Sequence, residues 1–169
     1  MPVNFRRRHL MLFLLVNQLG LMAGCGFHLR GSVALPPSLS SVYVEQQQAP
    51  LMAEALARAF TEQQLSPVEE KTQAQVVLKV SGEHYQRRVL SVGASGNVQE
   101  YELHYTVKLA ILNANAEPLA DPQTLDLRRE LRYDSSEVVA KVGEEQQLKT
   151  EMIADGARQI IRRLQFVKP

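Results

Sequence analysis

The groups from which this chain could build chemistry are few: one thiol, four imidazoles and some paired arginines among 169 residues. The thiol is Cys25, directly behind the small residues Ala23 and Gly24. With no second cysteine, no disulfide can form within the chain. His28 lies beside Cys25, while His84 and His104 fall in strand-like segments. No H-x-x-x-H spacing or neighbouring cysteine supports a zinc site, so solvated histidines, no metal and no cofactor are the expectation. Glu69-Glu70 and Glu144-Glu145 read as solvated. Neither G-x-S-x-G nor a P-loop occurs. A hydrolase would have to gather Ser91 or Ser95 with His84 or His104 and an aspartate, and the expectation is that the chain is not an enzyme. The arginines suggest more. Arg87-Arg88, Arg128-Arg129 and Arg132, with Lys108 and Lys141, fall in or near strand-like segments. Guanidinium groups pair well with phosphate, so they could receive an anionic headgroup; a merely solvated sheet face is the other reading.

Cys25 closes a distinctive N-terminal pattern. Arg6, Arg7, Arg8 and His9 are followed by Leu10 to Leu21, apolar except for Asn17, Gln18 and Gly20. A charged start, an apolar middle and a small-residue exit are the parts of a secretory signal. The run of about 12 residues is too short for a permanent span, which needs ~20. Met22-Ala23-Gly24-Cys25 resembles the lipobox of bacterial lipoproteins, with Met22 in place of the usual leucine. The resemblance implies that residues 1–24 are a signal peptide that is removed, and that Cys25 carries the lipid of a single mature domain, 25–169. Several acyl chains make a stable anchor where one is marginal. Gly26, rather than aspartate, is compatible with sorting to the outer membrane. Without Arg6, Arg7 and Arg8 the 19 lysines and arginines fall to 16 against 18 acidic residues. That balance does not suit nucleic acid.

The elements that must position these groups follow from periodicity. Leu35-Pro36-Pro37-Ser38-Leu39 reads as loop and Val42-Tyr43-Val44 as a short buried strand. Pro50 opens a helix whose Met52, Ala55, Leu56, Ala59 and Phe60 form one apolar face. Val76 to Val80 begins a strand block that continues over Tyr85 to Val92 after a kink near Gly82. Ala94-Ser95-Gly96-Asn97 is a turn. Tyr101, Leu103, Tyr105, Val107, Leu109 and Ile111 then alternate with Glu102, His104, Thr106, Lys108 and Ala110, predicting one buried and one wet face. Asn113 to Pro122 reads as a second loop. Leu125, Leu127, Leu131 and Tyr133 form a further strand, with Arg129 odd on its apolar side. Asp134-Ser135-Ser136 marks a loop or helix start, and a helix runs from about Val142 or Glu144 to Leu164, with Gly156 marking a close contact. The expected fold is an α+β two-layer sandwich: two helices on one face of a mostly antiparallel four-stranded sheet.

The chain is similar to the lipopolysaccharide-assembly lipoprotein family LptE. The likeness rests on Cys25-Gly26-Phe27-His28-Leu29-Arg30-Gly31, the Leu-Pro-Pro-Ser-Leu stretch, Gly96-Asn97-Val98-Gln99-Glu100-Tyr101-Glu102-Leu103, and Ala140-Lys141 followed by Glu144-Glu145. It implies two helices on a four-stranded sheet, no enzymatic activity, residence as a plug within the LptD outer-membrane β-barrel, and binding of lipopolysaccharide. Lys141 is the basic residue it carries over. The hairpin tip Ala94-Ser95-Gly96-Asn97 lacks the charge the family pattern implies, leaving Arg87 or Arg88 to supply it. A different small lipoprotein, such as an accessory subunit of a phospholipid-trafficking transporter, is the alternative.

Overall fold

The computed structural model describes residues 41–134, 136 and 138–167; the expected signal segment and Cys25 lie outside them. In chain order the elements are β1 (Val42–Gln47), α1 (Pro50–Glu62), β2 (Val76–Val92), β3 (Val98–Asn113), β4 (Pro118–Arg132) and α2 (Val138–Leu164). The strands form one sheet in the order β1-β2-β3-β4. β1 runs parallel to β2, with Val42 opposite Val76, and both later pairs are antiparallel. A parallel pair needs a crossover rather than a tight turn, and α1 supplies it. Both helices cover one face, giving the α+β sandwich expected from the sequence.

α1 buries Met52, Ala55, Leu56, Ala59 and Phe60, the stripe read from three- and four-residue spacing. Its N-terminus has no local side-chain cap, because Ala49 occupies that position. The cap arrives from β2. Glu83 Oε1 accepts from the Leu51 amide at 3.0 Å, and Oε2 accepts from the Met52 amide at 3.0 Å and the Tyr105 hydroxyl at 2.7 Å. A carboxylate there satisfies orphan amides and lies at the positive end of the helix dipole. Burial first, then Glu83, holds the Tyr105 hydroxyl far above its usual pKa.

Glu83 reaches α1 because the strand bulges there. The β2–β3 register shifts between Ser81 and His84, with Gly82 at φ 58°. A left-handed φ is cheap for glycine, and one extra residue reverses which side chains face the core. Before the bulge Val76, Leu78 and Val80 face the helices; after it Tyr85, Arg87 and Val89 do. The kink expected near Gly82 is therefore a bulge within one continuous strand.

Two boundaries differ from the sequence reading. The expected loop from Asn113 to Pro122 shrinks to a turn. Asn113 Oδ1 accepts from the Asn115 and Glu117 amides at 2.9 Å each, and β4 starts at Pro118. Pro118 and Pro122 are tolerated because β4 is an edge strand, where a missing N–H breaks no ladder. α2 starts at Val138 rather than near Val142. Its first five residues include exposed Val138, Val139 and Val142, so no buried stripe announces it. Asp134 Oδ1 accepts from the Ser136 amide at 2.8 Å just upstream.

Further along, α2 buries Met152, Ile153, Ala157, Ile160, Ile161 and Leu164. Gly156 permits its closest approach: a Cβ there would lie 2.8 Å from Leu127 Cδ1, 3.0 Å from Leu125 Cδ2 and 3.2 Å from Met52 Cε. Arg129, the cation on the apolar side, reaches Asp155 of α2 at 2.7 Å. No helix among the described residues is long and apolar enough to cross a membrane.

Candidate functional site

The cations singled out by sequence do not share one surface. Neighbours in a strand point to opposite faces, and the bulge decides which goes where. Arg87 falls on the helix side and Arg88 on the open side, paired in register with Leu103 and Glu102 respectively. Arg129 and Arg128 are divided in the same way, opposite Leu103 and His104.

Arg87 is held by two partners. Its Nη1 donates to Glu145 Oε2 at 2.7 Å, and its guanidinium lies 4.4 Å from the Tyr101 ring centroid. Tyr101 in turn meets Tyr133 edge-on at 5.2 Å. The other Glu145 oxygen accepts from Tyr85 at 2.8 Å, and Lys149 sits 4.6 Å over the Tyr85 ring. The bond to Glu145 raises the Arg87 pKa, and burial, then Glu145, raises that of Tyr85. Arg87 thus clamps α2 to β2 as well as charging this end of the sheet. Lys141, one helical turn before Glu145, donates to Glu144 at 2.7 Å, with 16% of its side chain exposed. Arg87 and Lys141 are therefore brought to one end of the helix side, each with an acidic partner.

Around them lies a feature the sequence reading missed. Val89, Leu90 and Val92 of β2 and Val138, Val139 and Val142 of α2 are all exposed. These apolar residues lie toward the end formed by the β2–β3 hairpin, whose turn is closed by Gly96 at φ 81°. The signal was their apolar character, five valines and a leucine, at the margins of a strand and a helix, where no buried stripe accounts for them.

Arg88 belongs to a different group on the open face. With the Gln86 amide turned oxygen-inward, which matches donors to acceptors, that oxygen accepts from Arg88 Nε at 3.1 Å and His104 Nδ1 at 3.0 Å. His104 Nε2 meets Asp126 Oδ1 at 2.9 Å, and Arg128 Nε donates to the same oxygen at 3.1 Å. Arg128, then His104, pulls the Asp126 carboxyl down to about 2. His104, expected to be solvated, is 7% exposed beneath these side chains. His84 pairs with Thr106, placing it diagonal to His104 on the same face. Among the described residues no three metal-ligating side chains gather. Ser91 donates to Glu100 at 2.7 Å rather than to an imidazole.

Residues 39–164 match the family described as LptE, lipopolysaccharide-assembly. The chain belongs to the LptE family. It is 27% identical to the LPS-assembly lipoprotein LptE of Yersinia enterocolitica over 164 residues, covering 95% of this chain and 78% of that one. Against the protein of the same name from Pectobacterium atrosepticum it is 27% identical, covering 90% and 84%. Among solved structures, lipoprotein B of Nitrosomonas europaea superposes with a TM-score of 0.71 at 30% identity, covering 83% of this chain and 90% of that one. Rare lipoprotein B of Shewanella oneidensis has the same fold, with a TM-score of 0.62 at 24% identity, covering 73% and 92%. The two-helix sandwich is thus the fold on which this LptE-family chain carries its hairpin end, with cations flanked by exposed apolar residues.

Proposed function

We propose that this LptE-family chain is an outer-membrane lipoprotein, acylated at Cys25 after loss of residues 1–24, that plugs the LptD β-barrel and assists lipopolysaccharide assembly at the cell surface. Family membership over residues 39–164 carries this reading. The hairpin end supports it in chemical terms. Lipopolysaccharide joins phosphates to acyl chains, and here Lys141 and Arg87 stand beside exposed Val89, Val138 and Val142. Arg88 adds charge from the other side of the sheet. A barrel lumen is polar and wet, which suits the charged open face. The role is one of binding and assembly rather than catalysis.

The test is affinity purification of the tagged protein from detergent-solubilised outer membrane. An equimolar β-barrel surviving the wash is expected. Recovery of the acylated lipoprotein alone would overturn the plug and favour the phospholipid-trafficking alternative. In the isolated domain, Lys141→Glu is expected to weaken lipopolysaccharide binding with the fold intact, and unchanged binding would remove Lys141 from the site.

A further inference from the structure

We propose that a depression on the open face of the sheet, at the end away from the β2–β3 hairpin, is a binding subsite for a phosphate group. It lies where β4 slips register. Leu109 faces Gln123, but Ile111 faces Ala120, so β4 carries an extra residue opposite Ala110. Such bulges re-aim side chains and open the surface beside them. The depression has a volume of about 260 Å³, with Ala110 as its small floor and Lys79, Ser81, Lys108, Pro122 and Thr124 around it.

The register brings the polar groups together. Ser81, Lys108 and Thr124 are direct cross-strand partners in one row, and Lys79 stands opposite Ala110. Such partners have Cβ atoms about 5 Å apart, so two ammonium groups and two hydroxyls can reach one tetrahedral anion. Their charge is incompletely answered. Glu45 is shared by Lys71 at 2.5 Å and Lys79 at 3.4 Å. The Lys71 bond foremost lowers the Glu45 pKa, against a smaller opposing effect of burial, so its charge is already engaged. Lys108 is exposed and has no ion-pair or hydrogen-bond partner among the described residues. Asp121, in the bulge, lines the cavity with Leu119, Arg163 and Phe166 on the helix side instead. Lys79 therefore shares Glu45 with Lys71, and Lys108 has no acidic partner among the described residues.

Lysine acts on phosphate as a point charge with rotatable donors, whereas arginine favours planar two-point contacts. A shallow, open depression holds the phosphate end-on and leaves the rest of a larger molecule outside. The occupant is a phosphate monoester on a bulkier molecule or the free anion. That the phosphate belongs to lipopolysaccharide rests on the function proposed above; the phosphate chemistry does not.

The experiment uses the mature, detergent-solubilised protein labelled with ¹⁵N. Inorganic phosphate is titrated against chloride at matched ionic strength, with the amide shifts of Ser81, Lys108, Ala110 and Thr124 as readout. Saturable shifts with phosphate alone are expected. Lys108→Gln should weaken the fitted affinity about fivefold, the scale of one exposed charge pair, while Arg58→Gln, at an exposed ion pair with Glu54 on α1, leaves it unchanged. Shifts that are matched by chloride, or that survive Lys108→Gln at full affinity, overturn the site. A second arm substitutes lipopolysaccharide before and after enzymatic dephosphorylation. Shifts lost on dephosphorylation uphold the site and assign the phosphate to the lipid; shifts with inorganic phosphate only uphold it for the free anion. Neither arm depends on barrel co-purification, so failure here and failure of the plug reading are separable.

Discussion

On the helix side of β3, Leu103, Tyr105 and Val107 are fully buried and Leu109 nearly so. On the other side of the same strand, Lys108 is exposed, Glu102 and Thr106 are half-buried, and His104 is covered. The two burials have different origins. The helix side is closed by whole elements packing apolar surface, a cost-free environment for Leu103 and an exacting one for any polar group. The open side is closed over His104 by the flexible side chains of Gln86, Arg88, Asp126 and Arg128. Stability is thus concentrated on one face, while the other is covered only by adjustable side chains.

Breaking the helix side should have the largest consequences. Phe60 is 1% exposed in the centre of the core cluster. Phe60→Ala is expected to cost about 3–5 kcal/mol in denaturant unfolding, from lost transfer energy and an unfilled cavity. A cost under about 1 kcal/mol would mean that α1 is not held by its apolar stripe. Glu83 comes next, as the polar group that the helix side cannot spare. Glu83→Ala leaves two helix amides and the buried Tyr105 hydroxyl without their acceptor. The expected loss is about 2–3 kcal/mol. Glu83→Gln should recover part of it, because one amide oxygen still accepts. Equal losses in the two variants would show that charge at the helix dipole, not hydrogen bonding, is the larger contribution.

The contrast between the faces also explains what was legible in the sequence. Apolar periodicity located the helix side almost completely, from Met52 and Phe60 of α1 to Ile160 and Leu164 of α2, because the core selects one residue type at fixed spacing. Gly156 was legible for a related reason: a glycine inside a strong helix needs a neighbour that excludes a side chain. Glu83 was not, since its helix partners lie 31 and 32 residues away in sequence and a lone acid in a strand has no signature. The bulge beside it hid more. Continuing the Val76, Leu78, Val80 alternation unbroken would send Arg88 toward the helices and Arg87 toward solvent, the reverse of what the fold contains. His104 was read as wet because alternation assigns a face, and only tertiary contact reveals that the face is covered there. Among the candidate residues, Lys141 and Arg87 lie toward the same end, each with its own acidic partner, while Cys25 lies outside the described structure.

The smallest expected effect sharpens the comparison most, because it separates the faces by pH. The Asp126 carboxyl is lowered to about 2 by Arg128 and then His104, against about 3.9 in an unfolded chain. A depressed folded value means that the ionised carboxylate favours folding. Its contribution is fully present above about pH 4 and is lost as pH falls through about 2. Because Asp126 is well exposed, with 42% of its side chain accessible, that contribution is expected to stay under about 1 kcal/mol. Asp126→Asn should therefore lower Tm slightly at pH 6, and the deficit should close as wild type is acidified toward pH 2. It should also shrink at high salt, where exposed pairs are screened. The Phe60→Ala deficit contains no titrating group at the altered position and should persist across the same range. Thermal melts of wild type and both variants at pH 6, 4 and 2 test the two behaviours together. An Asp126→Asn deficit unchanged at pH 2 would mean that shape and packing, not charge, hold the open face, and the distinction between the two faces would fail.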